Sequence, residues 1–175
     1  MIQELFASYR VEITFLHIIS AVIWVGGMIV MRYSAHYSFQ NIEQADIRLK
    51  SALYALKRLF ILVSPFIVIL LVTAIIMSVG LGFRDAALDK SGQVINSSAM
   101  HVYNLIHVKE SIWTIMTLNY LAMVLIRNNA QKLLNQHDLA GAKKRATYIS
   151  SYMVPFNIVL GIIAIFMGVF LRNLY

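Results

Sequence analysis

The 175-residue chain has no cysteine and only two prolines, and charged residues make up 13% of it. Without cysteine there is no disulfide, thiolate metal site, iron–sulfur cluster or cysteine nucleophile. Soluble domains carry roughly 25% charged residues, so water is a poor solvent for this composition. No phosphate-cradling glycine loop, nucleophile elbow or paired-carboxylate site is visible, which sets aside nucleotide and hydrolytic chemistry. Acidic residues are the scarcer charge, eight Asp and Glu against fifteen Lys and Arg, for a net +7. In a soluble protein that balance would suggest nucleic acid. Here the basic residues lie between apolar runs, so they are expected to report membrane orientation, with no nucleic-acid partner.

What the chain does have is apolar surface: 59% of its residues are hydrophobic and the mean hydropathy is +0.71. Four stretches, 11–31, 59–83, 102–126 and 152–171, reach the roughly 20 residues that cross a ~30 Å hydrocarbon core. The fold class expected is therefore an all-α membrane protein, a four-transmembrane-helix bundle forming one transmembrane domain over residues 1–175. The first run contains His17 and is followed by Arg32 with no A-x-A-like site, so it is read as a retained helix rather than a cleaved signal peptide.

Loop charge sets the expected orientation. Residues 32–58 hold five Lys and Arg, and 127–145 hold another five. Residues 1–12, 84–110 and Arg172 share five, against five acidic residues. The two basic loops fall on one side of a four-helix topology, which the positive-inside rule makes cytoplasmic in an inner (plasma) membrane. Both termini then face the non-cytoplasmic side. Ile42, Ala45, Leu49, Ala52, Leu53 and Leu56 recur at helix spacing in the first basic loop, as helix extensions at the interface or as a partner surface.

An internal repeat is visible at a shift of 90 residues. His17 falls on His107, Pro65-Phe66 on Pro155-Phe156, and six further identities follow up to Leu81 on Leu171. The expected halves are 1–90 and 91–175, two helical hairpins in parallel repeat about an axis along the membrane normal. His17 and His107 would then share a depth, roughly 8–9 Å from the outer end of their spans at 1.5 Å per residue. Two imidazoles facing across a bundle suit the axial positions of a b-type haem or half of a copper site. A helix-to-helix hydrogen bond is the plainer alternative for either histidine.

Ser20, Ala21 and Trp24 lie on the His17 face, and Glu110, Ser111 and Thr114 on the His107 face. Arg10 and Arg84, near the outer interface, are candidates for haem propionates. Trp24 is a candidate pocket wall, and His101 a weaker third metal ligand. Lys109 lies about 200° around its helix from His107, so it is expected to face elsewhere and snorkel outward. Glu110 is a candidate proton carrier or a partner for Lys109 or Arg84, and these two residues are the candidate catalytic groups. The nine methionines mostly sit in helix interiors, where core filling is expected.

Leu16-His17-Ile18-Ile19, Trp24-Val25-Gly26-Gly27, Arg32, Arg58-Leu59 with Pro65, His107-Val108-Lys109 and Val154-Pro155 together resemble the CopD/HemJ-like integral membrane proteins, over most of the chain. The HemJ side of that resemblance implies haem b, oxidation of a tetrapyrrole, and functional roles at His17 and Lys109. Where that side has Leu-Pro-Arg and Asn-Glu, this chain has Val30-Met31-Arg32 and Tyr152-Met153. The CopD side implies copper handling, and for that function the candidate ligands in this chain are His17 and His107, with His101 and Met28 as weaker ones.

Three functions remain open from sequence: a haem-binding redox protein, a copper-handling protein, and a non-catalytic assembly subunit of a membrane complex. The expected partners are the lipid bilayer, a membrane electron-transfer protein and a second copy of the chain.

Overall fold

A chain in lipid has no water to satisfy its backbone, so each spanning segment must close its own hydrogen bonds as a helix. The computed structural model describes residues 1–173, and among them no strand forms. Helix α1 (Ile2–Ser8) is set off by an irregular residue, Tyr9, from α2 (Arg10–Val30). A π-helical turn, Met31–Ala35, carries α2 without a break into α3 (His36–Gln40). Helix α4 (Ala45–Gly80) is 36 residues long with Pro65 inside it, and Gly82 at φ 65° turns the chain into α5 (Phe83–Ala87).

Helix α6 (Ser97–Asn135) is the longest at 39 residues, and the Asn96 side chain caps it by accepting from the Ser98 and Ala99 amides. Helix α7 (Leu139–Tyr148) passes through a second π turn, Ile149–Met153, into α8 (Val154–Asn173). Pro155 lies just past this π turn, inside a helix continuous over Leu139–Asn173, so its missing N–H interrupts the ladder where the π turn already loosens it.

Helix α2 packs against α4 and α8, and α6 packs against the same two, so α2 and α6 stand diagonally across the bundle. Trp24, Met28, Leu53, Val63, Met123 and Ile149 form its dry centre. Small residues let the backbones close: a Cβ on Gly161 would lie 2.5 Å from Val25 Cγ2, and one on Gly27 2.9 Å from Leu59 Cδ1. Phe83, Ile106 and Leu171 form a second cluster where α5, α6 and α8 meet.

The outside of the bundle is as apolar as the inside. Phe15, Val68, Leu118, Leu125, Val159 and Phe166 all stand more than half exposed, a belt too large for a monomeric soluble surface. Three helical stretches, Arg10–Gln40, Ala45–Gly80 and Leu139–Asn173, are long and apolar enough to cross a membrane. That is the pattern of a multi-pass membrane protein.

The stretch expected at 102–126 is the exception. It lies within α6, which is long enough but falls short in hydropathy. Polar side chains on both faces lower the average: Lys109, Trp113, Thr117, Asn119 and Tyr120 on the inward face, and His107, Glu110, Ser111 and Thr114 on the exposed one, where Leu118, Leu121 and Leu125 follow.

Span ends also differ from expectation. Helix α4 begins 14 residues before the expected start at 59, because Leu49, Leu53 and Leu56 are buried in the bundle core. It stops at Gly80, before the expected 83.

Candidate functional site

Helix α2 carries almost no polar side chain on its inner face apart from His17 and Ser20. Ser20 Oγ donates to its own helix at Leu16 O (2.6 Å). His17 reaches across to α4, with Nδ1 2.9 Å from Thr73 Oγ1. Thr73 is buried, and its hydroxyl proton is committed to the Ile69 carbonyl at 2.7 Å. In the Nδ1–H tautomer the oxygen accepts from the ring, and Nε2 keeps its lone pair. The plainer expectation for His17, an inter-helix hydrogen bond, is met through Nδ1.

His107 is placed differently from its expected mate. Its side chain is 52% exposed and its Nδ1 pairs with Glu110 Oε2 at 2.9 Å on the same helix. The Tyr103 ring packs edge-on against it at 4.5 Å. Glu110, Ser111 and Thr114 share this exposed outer face, as the helical spacing predicts. The face points away from the bundle centre, so the structure does not bring His107 to His17. Glu110 pairs with His107 and not with Lys109 or Arg84.

Lys109 is the correction that matters most. Instead of snorkelling outward, it is half-buried on the inner face of α6. Its Nζ lies 3.3 Å from where a Cβ on Gly168 would stand. No carboxylate pairs with it among the described residues. His17 from α2 thus meets Thr73 from α4, and Lys109 from α6 meets Gly168 from α8, so each of the four long helices turns one of these residues inward.

The burial phase of the helices explains the exchange. The 90-residue shift carries Val63 and Ile67 onto Met153 and Asn157, all buried, so α4 and α8 keep their faces. The same shift carries buried Ser20, Trp24 and Met28 onto exposed Glu110, Thr114 and Leu118. A register two residues longer carries them onto buried Ile112, Met116 and Tyr120, and then His17 matches Lys109. The identity His17–His107 is a match of letters, whereas the match of positions is His17–Lys109.

The other expected residues scatter. Trp24 is 1% exposed, within the core. Its indole Nε1, Trp113 Nε1 and Thr117 Oγ1 are buried without hydrogen-bond partners. Arg10 is exposed, 6.0 Å from the Phe6 ring centroid. Arg84 is exposed beside Asp85 at 4.0 Å, and His101 is exposed on α6. Among the described residues no group of three or more His, Asp and Glu side chains converges.

Sequence reasoning missed the polar staples that hold α6 in place. Asn119 Nδ2 donates to Met153 O (2.9 Å) and Asn157 Oδ1 (2.8 Å), while Asn157 Nδ2 donates to Met116 O (3.1 Å). Tyr120 OH donates to Phe60 O (2.9 Å), and Arg127 Nε donates to Leu53 O (3.0 Å). A row of polar side chains at helical spacing inside an otherwise apolar run was the available signal.

No family model matches the chain, and no curated protein or solved structure is significantly similar to it.

Proposed function

We propose that the chain is a four-span membrane protein whose interior His17–Lys109 site holds a haem for redox chemistry within the bilayer, as in the CopD/HemJ-like proteins it resembles. The observation that carries this is the Thr73-anchored His17 ring. Its Nδ1 lies 2.9 Å from the Thr73 oxygen, and in the Nδ1–H tautomer this leaves Nε2 as the ligating atom. A metal-ligating histidine is prepared in this way, with the outer nitrogen fixing tautomer and orientation. The residues present fit one axial ligand, His17, and do not fit the bis-histidine pair, because His107 faces outward. Haem supplies one-electron chemistry when bound.

The chain's own residues do the rest. Lys109, unpaired and half-buried, is costly in hydrocarbon unless it serves a site. There it offers a cation to a propionate or to an anionic substrate group. The orphan indole N–H groups of Trp24 and Trp113 are further donors inside the bundle. Arg10 and Arg84, exposed and apart from this site, have no part in it.

The fourth span is α6. Its exposed face carries Val108, Ile115, Leu118, Leu121 and Leu125 toward lipid, and its polar face is held by α4 and α8. The diagonal placement of α2 and α6 suits two hairpins about a pseudo-twofold axis, and the shared burial phase of α4 and α8 supports it. Copper has weaker support, since His17, His107 and His101 do not gather.

Detergent-purified protein, expressed with ample haem precursor, should show a Soret band that His17→Ala abolishes and Lys109→Met shifts or weakens. A colourless wild-type protein would refute the proposal.

A further inference from the structure

The opposite end of the bundle holds a second site, independent of the redox proposal. A cavity of about 410 Å³ opens between the π turn and α3, the start of α4, and α7. Arg32, Arg48 and Lys143 line it, and no acidic side chain does. None of the three cations has a carboxylate partner among the described residues. Arg32 instead lies over the Tyr33 ring, 5.9 Å from its centroid. The cavity floor is apolar, formed by Leu49, Leu56 and Val154, which belong to the dry core.

Depth identifies the occupant. From Arg10 to Arg32 the continuous helix rises about 33 Å at 1.5 Å per residue, against a hydrocarbon thickness of ~30 Å. If Arg10 marks one interface, Arg32 marks the other, and the cavity opens at headgroup level. Unpaired cations at a membrane interface attract anionic headgroups, and basic pockets between spanning helices bind them. An apolar floor running inward from the cations continues with an acyl chain. A soluble anion would satisfy the cations and leave that floor uncovered.

We infer that this cavity binds an anionic phospholipid, with its phosphate among Arg32, Arg48 and Lys143 and the start of an acyl chain over Leu49, Leu56 and Val154. The site ties α3, α4 and α7 together where the two basic loops meet, so the lipid acts as a structural ligand of that end of the bundle.

The test uses delipidated full-length protein in a neutral detergent, titrated with phosphatidylglycerol, with phosphatidylcholine of the same chains, or with inorganic phosphate. Bound lipid is counted by native mass spectrometry, and thermal unfolding is followed in parallel. Phosphatidylglycerol should bind at least about tenfold tighter than phosphatidylcholine, and inorganic phosphate should neither bind nor compete at matched concentration. Arg48→Gln and Lys143→Gln should each weaken phosphatidylglycerol roughly fivefold, leaving the lipid-free melting temperature unchanged. Ala52→Phe, which fills the cavity without altering charge, should lose the lipid and keep the fold.

Equal binding of the two lipids, displacement by inorganic phosphate, or full retention in the charge variants or in Ala52→Phe would overturn the assignment.

Discussion

Helices α2 and α6 occupy diagonal corners of one bundle and touch the same two neighbours, yet they hold their places by different means. Helix α2 packs almost entirely by shape: Trp24, Val25 and Met28 fill the centre, and Gly27 lets α4 approach. Among the described residues its hydrogen bonding to other helices runs through His17, which meets Thr73. Helix α6 is stapled, sending Asn119, Tyr120 and Arg127 to carbonyls of its neighbours. Polar staples fix the rotation of a helix about its own axis, whereas apolar packing in lipid specifies rotation weakly because both faces are greasy. The staples on α6 therefore decide which of two residues on opposite sides of the helix, His107 or Lys109, faces the bundle interior.

Breaking the staples should hurt α6 more than trimming polar groups from α2. The largest effect is expected at Asn157→Leu. It leaves one Asn119 N–H unpaired, the other staying on Met153 O, and removes the Asn157 donor to Met116 O, in a site where Asn157 has no exposure. A buried unsatisfied group costs about 1–3 kcal/mol, to be read from denaturant or thermal unfolding in detergent. Tyr120→Phe removes one inter-helix bond to Phe60 O and one to Ser64, and should cost ~0.6 kcal/mol for each, the usual worth of such bonds in membranes. Ser20→Ala on α2, which loses only a bond within its own helix, should change stability by less than either. A loss from Ser20→Ala as large as that from Asn157→Leu would remove the distinction between the two helices.

The smallest effect lies outside the spans, in the turn that leads into α6. Asp89 Oδ1 accepts from the Ser91 hydroxyl at 2.7 Å and from the Ser91 and Gln93 amides at 2.8 Å each. The Ser91 hydroxyl first, then the Gln93 amide, hold its carboxyl below the ordinary value of 3.8. A depressed acid stabilises the turn above its unfolded pKa and loses that contribution as pH falls through the folded one. Amide exchange at Ser91 and Gln93 should therefore show protection that is full at neutral pH and lost as pH falls below 3.8. Asp89→Asn should flatten this dependence.

Much of this layout is legible in the sequence, and the illegible part has a physical cause. Spans in α2, α4 and α8 declare themselves because they are apolar on every side. The helical spacing of Leu49, Leu53 and Leu56 foretells the long start of α4. The rotation of α6 is hidden, because residues 107–114 put polar groups on both faces: His107, Glu110, Ser111 and Thr114 on one, Lys109 and Trp113 on the other. In water the apolar face would mark the inside. In lipid an apolar face suits either side, so helical periodicity cannot rank the two. The repeat misleads at the same place, since matching letters favour His107 while matching burial favours Lys109. The π turns at Met31–Ala35 and Ile149–Met153 leave no sequence mark beyond ordinary helix formers.

The orientation of α6 is the point on which the site depends, and a cysteine-free chain allows it to be measured directly. His107→Cys and Lys109→Cys, each carrying a nitroxide in reconstituted bilayers, report collision with dissolved oxygen by electron paramagnetic resonance. High oxygen accessibility at 107 and low accessibility at 109 is the predicted result. The reverse order would put His107 inside with His17 and contradict the site described above.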